Sequence, residues 1–287
     1  MKYYSTKQGV SPASFREAVI KGLPDDNGLF MPGHIPKLDV DFLNNLHNET
    51  LTVIGFTVAL PFVGADISEE KLYEIIKETL SFPLPIVPVH NSVFSLELFH
   101  GPTCAFKDVG ARFLARCLSH FSDEKVTVLV ATSGDTGSAV ANGFLEVPNV
   151  DVVILYPKGK VSHLQEQQLT TLGQNITALE VEGTFDDCQR MVKSAFLDKE
   201  LNRRMKLTSA NSINIARLVP QSFYYFRTMA QLHDHEKVIF SVPSGNYGNL
   251  TAGLLAKAMG LAISGFVASS NINETLKTNY FKCHGRR

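Results

Sequence analysis

Five short apolar runs punctuate the chain from residue 126 onward: Val126–Val130, Val150–Leu155, Ile176–Val181, Val238–Val242 and Ile263–Ala268. They are rich in β-branched residues and do not alternate with polar ones, the pattern of strands buried on both faces. Between them lie stretches of helical period around Leu164–Leu172, Phe185–Phe196, Gln221–Leu232 and Leu250–Met259, the second turning Cys188, Val192, Ala195 and Phe196 inward. Alternation at this spacing predicts parallel α/β sheets. Right-handed crossovers then bring the C-terminal ends of the strands to one rim, where ligands bind. Upstream, Val109, Phe113, Leu114, Cys117, Leu118 and Phe121 form one apolar helical stripe, with Arg112, Arg116 and His120 on the opposite face.

The first 85 or so residues read as helical with irregular connections. Ser14-Phe15-Arg16-Glu17 has capping-box spacing and opens a helix through Ile20. Asp25–Gly28 and Pro32-Gly33 are turn signals. Ser68 is placed to cap a helix carrying Leu72, Ile75, Ile76, Thr79 and Leu80 on one face, and the prolines at 83, 85 and 88 stop it and impose extended chain.

Two strands lead into the same device. Val126–Val130 runs into Ser133-Gly134-Asp135-Thr136-Gly137-Ser138, and Val238–Val242 into Ser244-Gly245-Asn246-Tyr247-Gly248-Asn249. A glycine turn opening a helix offers unpaired N–H groups at the positive end of the helix dipole, which suits an anion. Neither loop has the Gly-Lys-Ser/Thr ending of a Walker loop or the dinucleotide glycine pattern; the plain alternative for each is a tight β-to-α turn. The pair, one per sheet, points to a cleft ligand with more than one anionic group. Lys107 follows Phe99–Phe106 and stands at the head of the 109–121 helix, where the dipole disfavours the ammonium and favours the neutral amine or a Schiff base. An ordinary surface lysine is the competing reading. Arg217, after a further strand at Leu207–Ser209, is a candidate clamp for phosphate or carboxylate. His233-Asp234-His235 has the look of a metal pair but sits in a polar loop, so no metal site is expected.

The 287 residues suffice for two domains, and the net charge of −1 argues against nonspecific nucleic-acid binding. No apolar stretch reaches the roughly 20 residues of a membrane helix, and the opening Met1–Thr6 lacks a secretory apolar core. Cys104, Cys117, Cys188 and Cys283 are widely spaced, giving neither a zinc pattern nor a disulfide framework and making the cytoplasm the expected location.

Phe99–Asp108, Ala131–Ser138, Ser209–Gln221 and Pro243–Asn249, in that order, resemble the threonine synthases, as do the opening segments Tyr3–Thr6, Ser14–Gly22 and Gly28–Pro32. The resemblance runs from about residue 3 to Thr275. It implies the tryptophan-synthase-β type of fold (pyridoxal-phosphate fold type II): two parallel-sheet α/β domains behind an N-terminal helical region. The expected division is 1–85 for that region, 86–121 with 205–287 for the larger domain, and 122–204 for a smaller mobile one. It further implies pyridoxal phosphate as cofactor and O-phosphohomoserine as substrate, with γ-elimination of phosphate and addition of water at Cβ. Lys107 would hold the cofactor and move protons; Ser244, Gly245, Asn246, Tyr247, Gly248 and Asn249 would bind its phosphate; Asp135 would face its ring. Ser133, Gly134 and Thr136 would take the substrate carboxylate, and Asn214 and Arg217 the substrate phosphate. Leu276–Arg287 does not resemble the family's continuation, so a truncated chain with an incomplete large domain is expected. Two other readings stay open: a related phospholyase or dehydratase, and a non-catalytic binder of pyridoxal phosphate or a phosphorylated ligand.

Overall fold

The computed structural model describes residues 1–211, 214–233, 237–243 and 245–269. The tail from 276, Asp234, His235 and Ser244 therefore lie outside the described residues. The N-terminal region is helical as expected, with one addition: β1 (Tyr3–Ser5) and β2 (Phe30–Pro32) form a short antiparallel pair around α1 (Phe15–Lys21). The Ser14–Glu17 capping box is present at the start of α1. After α2 (Val40–Asn44) come α3 (Leu51–Val63) and α4 (Glu69–Thr79). Ser68 caps α4, and Leu72, Ile75, Ile76 and Thr79 are its buried face. The prolines then lead into an antiparallel hairpin, β3 (Ile86–His90) and β4 (Val93–Leu96).

Next comes α5 (Asp108–Phe121), whose expected apolar stripe is buried throughout. Gly110, Ala111 and Ala115 are buried as well, so the helix is enclosed on more than one side, and Arg112 and Arg116 are only half exposed. Small residues let the helices Asp135–Phe144 and Ile215–Leu218 and the N-terminal helices approach it closely; a Cβ on Gly143 would stand 3.2 Å from the Ala111 backbone.

A four-stranded parallel sheet follows: β5 (Val126–Ala131), α6 (Asp135–Phe144), β6 (Val150–Pro157), α7 (His163–Thr170), β7 (Ile176–Val181), α8 (Phe185–Leu197), α9 (Lys199–Arg204) and β8 (Lys206–Ser209). The strand order is β7-β6-β5-β8. Every residue of the central β5 is buried, which is why its run is continuous rather than alternating. The edge strand β7 exposes Thr177, Glu180 and Leu179, so burial on both faces does not extend to it. β8 pairs with β5 from Val126↔Lys206 to Leu129↔Ser209, so the four-stranded sheet continues past the boundary expected at 204/205. Leu164, expected within a packed helix, is exposed on α7.

The chain continues through α10 (Ile215–Leu218) and α11 (Phe223–Gln231) to β9 (Ile239–Pro243), α12 (Gly248–Ala258) and β10 (Gly265–Ser269). β9 and β10 pair in parallel as a second sheet. Ile239 and Val267 are exposed, so here too the expectation of two buried faces is not met among the described residues.

Candidate active site

The three strand ends β5, β8 and β9 open on one cavity of about 1330 Å³. Its walls include Lys107, Thr132, Ser133, Thr136, Asn211, Gly245, Asn246 and Asn249, with the β3–β4 hairpin closing one side. The site therefore lies at the C-terminal rim of both parallel sheets, as topology requires.

Lys107 is held by its neighbours. Thr103 donates to Asp108 from its backbone N–H (3.0 Å to Oδ2) and its hydroxyl (2.5 Å to Oδ1), pinning the turn before α5. Tyr224, buried on α11, donates its hydroxyl to the Phe106 carbonyl. Gly101 is required there, because a Cβ would stand 2.4 Å from Asp108 Oδ2. Burial pushes the Lys107 amine below the ordinary lysine range; the negative charge of Asp135 opposes this and the positive charge of Arg217 adds to it. Among the described residues no carboxylate lies within ion-pairing distance of Lys107. A lysine in this setting is a good nucleophile because more of it is neutral near pH 7.

The first loop is closed by Thr132, a residue the sequence reading passed over. Its hydroxyl accepts from Gly134 N–H (3.0 Å) and Gly137 N–H (2.8 Å) and donates to the Gly134 carbonyl at 3.0 Å. The first helical N–H groups of α6, on Asp135 and Thr136, have no partner within the helix. Ser133 and Thr136 face the cavity; Gly134 and Asp135 do not line it. Gly134 is buried with φ 145°, and Asp135 Oδ1 accepts from Gln165 Nε2 at 2.5 Å.

The second loop is built differently. Tyr247 adopts the left-handed conformation (φ 59°) before α12, and Gly248 N–H donates to Asn246 Oδ1 at 3.3 Å. Tyr225 donates its hydroxyl to the Asn249 carbonyl at 2.9 Å and to Asn249 Oδ1. Gly245, Asn246 and Asn249 line the cavity, whereas Tyr247 and Gly248 support it from behind. A Cβ at Gly245 would meet no atom of the described residues within 4 Å.

Of the segment after β8, the cavity takes Asn211, not the two residues expected. Asn214 is fully buried: Oδ1 accepts from Ala216 N–H (3.0 Å) to cap α10, and Nδ2 donates to the carbonyls of Val19 (2.9 Å) and Ser209 (3.4 Å). Arg217 is 2% exposed, packs against Gly110, and donates from Nη1 to the Ala210 carbonyl at 2.6 Å, while its Nε has no partner. Burial lowers its guanidinium to about 10. Both side chains lie behind the cavity wall, consumed by the short helix they begin. His233 stacks on His47 with centroids 4.8 Å apart, and no cluster of metal-ligating side chains occurs among the described residues.

Residues 2–80 match the family model described as threonine synthase N terminus, and 81–262 match that of pyridoxal-phosphate dependent enzymes. The Escherichia coli K12 threonine synthase is 47% identical over 279 residues, covering 96% of this chain and 65% of the relative. A crystal structure of the Escherichia coli threonine synthase superposes with a TM-score of 0.91 at 46% identity over 96% of this chain and 65% of that one. A structure of threonine synthase with bound pyridoxal phosphate from Brucella melitensis gives 0.90 at 38% identity, over 97% of this chain and 63% of that one. The chain thus spans just under two thirds of the length of these relatives.

Proposed function

The chain belongs to the threonine synthase family of pyridoxal-phosphate dependent enzymes, and on that premise we propose that it converts O-phospho-L-homoserine and water to L-threonine and phosphate. The observation that carries the reading is the single cavity into which Lys107 and both glycine loops open. The residues present fit pyridoxal phosphate. Lys107 supplies a half-buried amine lowered toward neutrality, and the bare Cα of Gly245 leaves a cradle that a side chain would fill.

When bound, the cofactor supplies an electron sink for charge developing on the substrate carbons. Lys107 Nζ would hold it, and the same amine would be the base that moves protons at those carbons. The N–H groups of the second loop, from Ser244 to Asn249, hold the cofactor phosphate. Ser133 and Thr136, with the first N–H groups of α6, hold the substrate carboxylate. Asn214 and Arg217 are left out of the grip on the substrate phosphate: Asn214 caps α10, and Arg217 adds positive potential near Lys107. The domain division that accompanies this reading is 1–85, a smaller unit of 122–204 extended by β8, and a larger unit from the remainder. A cytoplasmic location goes with it, supported by the separate free thiols Cys104, Cys117 and Cys188.

The test is to add pyridoxal phosphate, reduce with borohydride and map the labelled peptide. In a separate, unreduced sample, phosphate and threonine are assayed with O-phosphohomoserine. A label on Lys107 with both products formed in equal amounts is expected; a keto acid in place of threonine would favour the lyase alternative.

A further inference from the structure

Outside the cavity, Gln165 has the most specific tie to the site. Its side-chain oxygen is committed within α7: Oε1 accepts from the Ser162 N–H (3.2 Å) and the Ser162 hydroxyl (3.0 Å), completing a capping box in which Ser162 Oγ accepts from the Gln165 N–H at 3.3 Å. With the oxygen so fixed, Nε2 is turned outward, and it donates to Asp135 Oδ1 at 2.5 Å. The two segments approach so closely that a Cβ at Gly134 would stand 2.5 Å from Nε2. Glycine at φ 145° is what admits this contact.

We propose that Gln165 is a positioning residue that acts through Asp135: its amide fixes the Asp135 carboxylate at the head of α6 and thereby sets the field felt by the Lys107 amine. The inference rests on the reading of Lys107 as the reactive amine. The charged groups acting on Lys107 are Asp135 from α6 and Arg217 from α10; Asp108, on its own helix, is engaged by Thr103. Glu166, beside Gln165, acts on the Tyr156 hydroxyl instead, raising it.

A capping box accepts Glu as readily as Gln. The amide therefore matters only toward Asp135, and Gln165→Glu separates the two roles. It keeps the helix cap and replaces a donor by a second carboxylate. Both carboxylates are ionised at the alkaline pH where an amine titrates, so the Lys107 ammonium gains stabilisation and the neutral amine becomes scarcer at any given pH.

The experiment is competitive labelling of the full chain, without added cofactor, by a small amine-reactive reagent across pH, read at the Lys107 peptide by mass spectrometry. Wild-type Lys107 should label at lower pH than the exposed lysines. Gln165→Glu should move its curve to higher pH, slowing labelling about threefold at a fixed pH below the midpoint, with some loss of melting temperature because the bond to Asp135 gives way to like-charge repulsion. Ser162→Ala should lower the melting temperature through loss of the cap and leave the Lys107 curve in place. Asp135→Asn should move the curve to lower pH. The inference is overturned if the Gln165→Glu or Asp135→Asn curve coincides with wild type, or if Ser162→Ala shifts the curve as far as Gln165→Glu. Borohydride mapping reports separately on the cofactor: a label at another lysine would end the functional reading while leaving the labelling comparison decisive for Gln165.

Discussion

The loops after β5 and β9 share a sequence pattern and differ in what holds them. In the first, each glycine faces protein: a Cβ at Gly134 would reach Gln165 at 2.5 Å, and one at Gly137 would reach Thr132 Cγ2 at 2.5 Å. In the second, Gly245 faces open cavity, with no atom of the described residues within 4 Å of a Cβ placed there. The first loop is thus a glycine turn demanded by its own chain, packed beneath a fully buried strand. The second keeps a glycine for which the described protein gives no steric reason, as expected where backbone must approach a ligand. One motif therefore serves two purposes, rigid support and ligand access.

Alanine at the two glycines is the strongest way to break this contrast. Gly137→Ala drives a methyl into Thr132, a buried side chain pinned by its three hydroxyl hydrogen bonds, and should cost about 1–3 kcal/mol in urea unfolding. Gly245→Ala should leave stability unchanged or raise it by up to about 1 kcal/mol, because the residue is not held at positive φ and alanine reduces the freedom of the unfolded chain. Its effect belongs instead to the cofactor: pyridoxal phosphate affinity, followed by absorbance titration, should fall at least about tenfold, equivalent to about 1.4 kcal/mol. Equal losses of stability in both variants would erase the distinction.

Thr132→Val sharpens the account of the first loop. Valine keeps the shape of this buried residue but removes the hydroxyl that accepts from Gly134 and Gly137. Gly137 N–H keeps a bond to the Gly134 carbonyl at 3.0 Å, whereas Gly134 N–H loses its partner. A loss of about 1–2 kcal/mol is expected in the same unfolding experiment.

Which parts of this arrangement were legible follows from how local their causes are. The Ser14 and Ser68 caps, the α5 stripe and the strand–loop–helix units depend on residues within a few positions of one another, and the structure carries all of them. The side of the boundary on which β8 falls depends on its partner, β5, eighty residues away, and its apolar content says only that it is a strand. The Ser162–Gln165 capping box is a local signal which the sequence analysis did not use, and the bond from Gln165 to Asp135 spans thirty residues and could not be read. Asn214 was expected at the substrate phosphate, and the structure places its side chain as the cap of α10. An asparagine preceding Ile215-Ala216-Arg217 is a ready helix cap, a local signal which that expectation did not use, while Asn211 stands at the strand end.

The mildest variant is Tyr225→Phe, which probes how the second loop is anchored. Its hydroxyl reaches Asn249 from α11, so this loop is fastened by a neighbouring helix, whereas Thr132 fastens the first loop from within. The ring contacts of Tyr225 with Phe240 and Phe266, at 4.8 and 6.0 Å between centroids, survive the change. Only the donor is lost, and the loop remains near the cavity where water can replace part of the bond. The expected cost is about 0.5–1.5 kcal/mol of stability. Pyridoxal phosphate affinity should weaken about two- to threefold, since Asn249 lies at the cavity wall and the α12 N–H groups move with it. If affinity fell while unfolding stayed unchanged, Tyr225 would be orienting the loop without stabilising it. If unfolding changed while affinity held, the Asn249 end of the loop would be independent of the anion-binding turn at Gly245, and the two halves of this loop would have to be treated as separate devices.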